Sequence, residues 1–117
     1  MRTAEIKNDA DFAAAVAGGA KFVLFHSAWC PFCLAFVPAF DKLAAEGGAG
    51  FLKASVDDLP AAEEEHAIEV VPTVLHFTGG RPAARLDGEL GRGLSEKQLR
   101  DFVRRCLEGK GHEKDRR

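Results

Sequence analysis

The stretch that constrains this chain most is Trp29-Cys30-Pro31-Phe32-Cys33, because of what stands on either side of it. Before it, Lys21-Phe22-Val23-Leu24-Phe25-His26 is a nearly continuous apolar run rich in aromatic and branched side chains. Such a run reads as a central strand covered on both faces. After it, Leu34 to Ala45 reads as a helix. If the helix begins at Cys30, the two sulfurs share one face of its first turn, since residues three apart are helical neighbours. Pro31 suits that turn, where its missing N–H costs no hydrogen bond. Free N–H groups and the positive end of the helix dipole favour a thiolate there. The thiolate is the nucleophile. The spacing therefore predicts a reactive dithiol able to close into a small disulfide.

The remaining elements alternate. Arg2 to Ile6 reads as a short edge strand, and Asn8 or Asp9 can cap a helix over about Ala10 to Ala17. Phe12, Ala15 and Val16 form that helix's buried stripe, and Gly18-Gly19 stops it. Pro38 falls inside the long helix and predicts a kink, and Gly47, Gly48 and Gly50 end it. Phe51 to Val56 reads as a strand with Asp57-Asp58 at its end. Pro60 opens a short helix over Ala61 to Ala67, with Glu63, Glu64 and Glu65 near its N-terminus. Thr73 to Phe77 and Pro82 to Leu86 read as antiparallel strands joined at Gly79-Gly80. Ser95 and Gln98 form a capping box for a last helix, Glu96 to Leu107, with Leu99, Phe102, Val103 and Cys106 as its apolar stripe. The pattern predicts an α/β fold: a mixed sheet of four to five strands flanked by helices on both faces.

A chain of 117 residues predicts one domain, here residues 1–108, followed by a polar tail over 109–117. The net charge of −2 argues against a nucleic-acid or anionic-membrane partner. Met1 to Ala10 carries no apolar signal region, and no apolar run reaches the roughly 20 residues that span a bilayer. The expected compartment is the cytoplasm, where a CxxC pair is catalytic or metal-binding rather than structural. Tetrahedral zinc usually takes four ligands. No second CxxC exists, and Cys106 and the four histidines show no matching spacing. No metal or cofactor is expected.

The chain resembles the thioredoxin family over nearly its whole length. The resemblance rests on Ala28-Trp29-Cys30-Pro31-Phe32-Cys33, Pro38, Val70-Val71-Pro72-Thr73, the Phe77…Gly79-Gly80 turn and the Leu94-Ser95…Gln98-Leu99…Phe102 helix. It implies a dithiol–disulfide oxidoreductase acting on disulfide-containing client proteins. Cys30 is then the exposed attacking cysteine and Cys33 the buried resolving one. Pro72 is the proline held cis beside the dithiol, and Val71 offers its backbone to an extended peptide. Trp29 resembles the aromatic flanking the groove. Trp29, Pro31, Val71 and Pro72 make the candidate client-binding set. The implied electron donor is a flavin-dependent thioredoxin reductase or glutathione, and a monomer is expected.

The sequence departs from the family pattern at the back of the site. Leu24 stands where the family carries a buried aspartate, His26 where it carries a tryptophan, and Lys53 keeps the accompanying lysine. Two substitutes for the acid are considered: a lone Lys53 charge near Cys33, and a His26–Asp57 hydrogen bond supplying a group that titrates near neutrality. The Pro-Phe dipeptide is similar to the Pro-Tyr of glutaredoxins. It predicts a potential above the roughly −270 mV of thioredoxin. The loop Gly88–Gly93 is longer than the family pattern and leaves the groove glycine unassigned. Alternatives are a glutathione-dependent, glutaredoxin-like reductase, a non-catalytic binding or chaperone module, and cluster ligation through Cys30.

Overall fold

The computed structural model describes residues 3–47 and 50–108. Arg2, Gly48 and the tail over 109–117 lie outside the described residues. The elements run β1 (Ala4–Ile6), α1 (Asp9–Ala15), β2 (Ala20–His26), α2 (Pro31–Gly47), β3 (Phe51–Ser55), α3 (Pro60–Glu65), β4 (Thr73–Thr78), β5 (Arg81–Asp87) and α4 (Glu96–Leu107). One five-stranded sheet takes the order β1-β3-β2-β4-β5. Its first two pairings are parallel and its last two antiparallel. The mixed sheet predicted from the sequence is therefore present.

β2 lies at the centre and feeds both sides of the core, because successive side chains on a strand point to opposite faces. Val23 and Phe25 join the cluster holding Phe12 of α1 and Ala62 of α3. Phe22 and Leu24 join the cluster holding Phe36 and Phe40 of α2 and Phe102 of α4. This double burial is why the run Lys21–His26 shows no polar alternation. On the second face Phe22 stacks on Phe51, with ring centroids 5.1 Å apart, and meets Phe102 edge-on at 6.1 Å.

Local chemistry sets the helix ends. The Asn8 side chain accepts from the Asp11 amide at 2.8 Å and caps α1. In α4 the Gln98 amide donates to Ser95 Oγ at 3.1 Å and the Ser95 amide to Gln98 Oε1 at 2.9 Å, which completes the predicted capping box. The assigned helix α2 is continuous through Pro38 and ends at Gly47, two residues beyond the expected Ala45. α3 is shorter than expected. It stops at Glu65, and Ala67 turns left-handed with φ 51°, so the helix cannot reach that residue.

Candidate active site

The end of β2 and the start of α2 place the dithiol. The Leu34 amide donates to the Cys30 carbonyl at 3.0 Å, so Cys30 caps α2 and Pro31 is its first residue. The expected helix start thus moves by one residue, and Cys30 takes the position whose side chain faces unpaired N–H groups. The Cys30 amide donates to the Ser27 carbonyl at 3.3 Å, which closes the turn leaving the strand. Cys33 sits one turn on, with its sulfur in contact with that of Cys30. Both are free thiols. Cys30 keeps 8% of its surface open and Cys33 none. Cys30 is therefore less exposed than the resemblance implies, yet it is the only one of the pair that solvent reaches.

Across from the dithiol the chain leaves α3 and enters β4 through Val70-Val71-Pro72. The Val71–Pro72 peptide bond is cis. The Cys30 thiol donates to the Val71 carbonyl oxygen, 3.8 Å away. Trp29 is 74% exposed beside the dithiol, and Pro31 is exposed on the same turn. The structure thus places Cys30 against the Val71-Pro72 turn, with Trp29, Pro31 and Cys33 on the segment that carries Cys30. Gly88 closes the arrangement: a Cβ there would lie 2.2 Å from the Pro72 carbonyl oxygen, so only glycine fits. Three glycines in one loop hid this position from sequence reading.

The back of the site differs from both substitutes considered for the missing acid. Cys33, Phe36 and Phe40 share a face of α2, and that face packs on the cluster containing fully buried Leu24. Burial pushes the Cys33 thiol up to about 12; the Ser27 backbone amide opposes the rise and Cys30 adds to it. Lys53 is not a lone charge: its Nζ lies 3.3 Å from Asp41 Oδ1 on α2, an acid that sequence reading missed. Burial alone would raise the Asp41 carboxyl, but Thr3 and Lys53 together hold it below its usual value. The Thr3 amide donates to Asp41 at 3.1 Å.

The expected His26–Asp57 bond is also replaced. His26 Nε2 lies 2.9 Å from Glu5 Oε2, reached across β3 from the edge strand. Asp57 instead accepts from Ser27 Oγ at 3.2 Å and Ser55 Oγ at 3.5 Å. Buried Ser27 therefore links Asp57 to the turn holding both cysteines, a role its position between His26 and Ala28 did not disclose. Cys106 lies buried on the stripe of α4 as expected, with burial pushing its thiol up to about 11.

Among the described residues no group of three or more His, Cys, Asp or Glu side chains is placed to hold a metal ion. Nor is any helix among them long and apolar enough to cross a membrane.

Comparison with known proteins agrees with this geometry. The family model described as Thioredoxin matches residues 3–105. A thioredoxin of Staphylococcus aureus is 35% identical over 82 residues, covering 68% of this chain and 79% of that protein. Among solved structures, a Plasmodium falciparum thioredoxin superposes with a TM-score of 0.80 at 19% identity, covering 88% of this chain and 98% of that one. Reduced Schistosoma mansoni thioredoxin pre-protein superposes at 0.78 with 23% identity, covering 90% and 98%. At those identities the structural matches speak for the fold, while the sequence matches carry the kinship. The chain belongs to the thioredoxin family and is a thiol–disulfide oxidoreductase.

Proposed function

We propose that this protein exchanges electrons with disulfides of client proteins through a mixed disulfide on Cys30. The Cys30 thiolate attacks one client sulfur, and the other client sulfur leaves as a thiolate. The Cys33 thiolate then attacks Cys30 Sγ, which releases the second client thiolate and leaves a Cys30–Cys33 disulfide. Two electrons pass to the client, and no bound cofactor is needed. The observation that carries this reading is the Cys30 sulfur at the capped start of α2 with the Val71 carbonyl 3.8 Å away. An extended client segment can pair with that backbone, and its disulfide then meets the nucleophile.

In this reading Trp29 and Pro31 offer contact surface, and Val71 and Pro72 offer the backbone edge. Asp57 holds Ser27, whose amide faces Cys33. The Lys53–Asp41 and His26–Glu5 pairs brace the edge of the sheet instead of moving protons. A flavin-dependent reductase or glutathione returns the electrons, and the protein works as a cytoplasmic monomer.

Trapping tests the mechanism. A Cys33→Ser variant should retain client proteins as mixed disulfides that dithiothreitol releases, and a Cys30→Ser variant should retain none. Equal retention by both variants would contradict the assigned roles. The Pro-Phe dipeptide should place the potential above about −270 mV. Equilibration with a glutathione buffer measures it, and a value at or below that figure contradicts the expectation.

A further inference from the structure

Between β5 and α4 the chain folds residues 89–93 into a tight hairpin. The Gly93 amide donates to the Glu89 carbonyl at 2.7 Å, and the Glu89 amide to the Gly93 carbonyl at 3.1 Å. Both feet of the hairpin rest on the dithiol site. Gly88, just before it, lies against the Pro72 carbonyl with no room for a side chain. Gly93 has φ +78°, and a Cβ there would lie 3.0 Å from Phe32 Cβ. One foot therefore touches the cis turn and the other Phe32, one of the two residues between the cysteines.

The tip of this hairpin carries Leu90, 86% exposed. Its exposure is part of a pattern. Of the large apolar side chains exposed among the described residues, Trp29, Phe32, Leu34 and Leu90 lie on the CxxC stretch or the hairpin resting on it, and only Leu107 lies elsewhere. Apolar surface gathered beside a reactive group marks a contact face. Glu89 and Arg92 flank the tip as an exposed ion pair 3.7 Å apart, so they offset each other's charge. The tip is thus apolar without a net charge beside it.

We propose that Leu90 is a specificity-determining residue that packs on an apolar side chain of the client segment lying along Val71. The occupant is a client chain because the hairpin continues the edge where the exchange reading, on which this proposal rests, places the client. Leu90 lies two residues from Gly88, hence within about 7 Å of the Pro72 contact along the chain. An extended peptide covers that span in about two residues. The side chain read by Leu90 therefore stands about two residues from the client residue beside Pro72. Small disulfides that lack such a segment do not reach the tip.

Disulfide-linked reporter peptides test this, with Leu, Asp or Lys placed two residues to either side of the cysteine, alongside cystine. Leu90→Ser should lower kcat/KM on a Leu peptide about 10-fold and leave the Asp peptides and cystine within about 2-fold. Leu90→Asp should lower it further on the Leu peptide and raise it on a Lys peptide. An equal effect of Leu90→Ser on every substrate, or no effect on any, overturns the proposal. So does an effect confined to self-association in sedimentation, or confined to reduction of the protein by its electron donor. Failure of the wild-type protein to reduce any peptide or cystine refutes the exchange reading instead.

Discussion

In front of the dithiol, Cys30 meets solvent beside exposed Trp29 and Phe32 and the Val71 carbonyl; behind it, Cys33 is fully buried one turn before Phe36, which packs with Phe40 and Leu24. The front is made of backbone and accessible apolar surface. The acids described around the back are engaged: Asp41 by Lys53, Glu5 by His26, and Asp57 by Ser27 and Ser55. Both ion pairs stand toward the β1 edge, and one row across the sheet shows how. Glu5 and Lys53 pair in register on β1 and β3, then Leu24 and Val74 continue the row on β2 and β4. Charge stops at β2: Leu24 and Val74 pack with Phe36 and Phe40 of the dithiol helix. In the proposed exchange, client capture and closure of the disulfide would therefore be served by different physics. In that exchange, capture uses a thiol at a helix cap and a peptide edge, while closure must take the proton from a thiol that burial pushes up.

Removing the front nucleophile has the largest expected effect. Cys30→Ser should lower disulfide reduction by roughly 1,000-fold or more, measured by steady-state turnover, because no other thiol reaches the surface at the site. Returning an acid to the back wall comes next. Leu24→Asp should speed resolution of the mixed disulfide at neutral pH by roughly 10- to 100-fold in single-turnover assays. It should also lower stability by about 3 kcal/mol in denaturant titrations, since it buries a carboxyl in an apolar cluster. Faster resolution without that acid's own pH dependence would show that the back wall acts through packing alone.

Asp41→Asn separates the edge charges from the chemistry. It leaves the Lys53 ammonium buried without a counter-charge and should cost about 3 kcal/mol. The Asp41 carboxyl titrates below its ordinary 3.8, so its contribution is present above that pH and lost as pH falls through the lowered value. The variant should therefore lose that acid-side slope in stability against pH while both exchange steps keep their rates at neutral pH. The smallest effect belongs to Ala67→Gly, which relieves a left-handed alanine and should raise stability by about 0.5 kcal/mol with no change in either step.

The front of the site was legible in the sequence because its parts are local. Cys30, Cys33 and Trp29 lie in one run, and Val71-Pro72 is a compact signal that β4 brings back antiparallel to β2. The sheet was legible for a related reason: β2 and β4 carry apolar runs, and turn glycines bound the hairpin. The back was not legible, because its pairings cross strands that no local pattern links. Glu5 reaches His26 over β3, and Asp41 reaches Lys53 from helix to sheet, separated by twelve residues and a turn. Asp57 lay close enough to His26 in expectation to suggest a bond, but two serines hold it first. Gly88 was hidden by its neighbours Gly91 and Gly93, and only the approach of the Pro72 carbonyl distinguishes it.

The contrast between front and back is tested most directly by the pH dependence of mixed-disulfide resolution in single turnover. With the Cys33 thiol raised chiefly by burial, the rate should climb about tenfold per pH unit from about pH 7 to about pH 10. A plateau near neutral pH would mean that some group behind Cys33 already takes its proton, and the account of an apolar back wall would be contradicted.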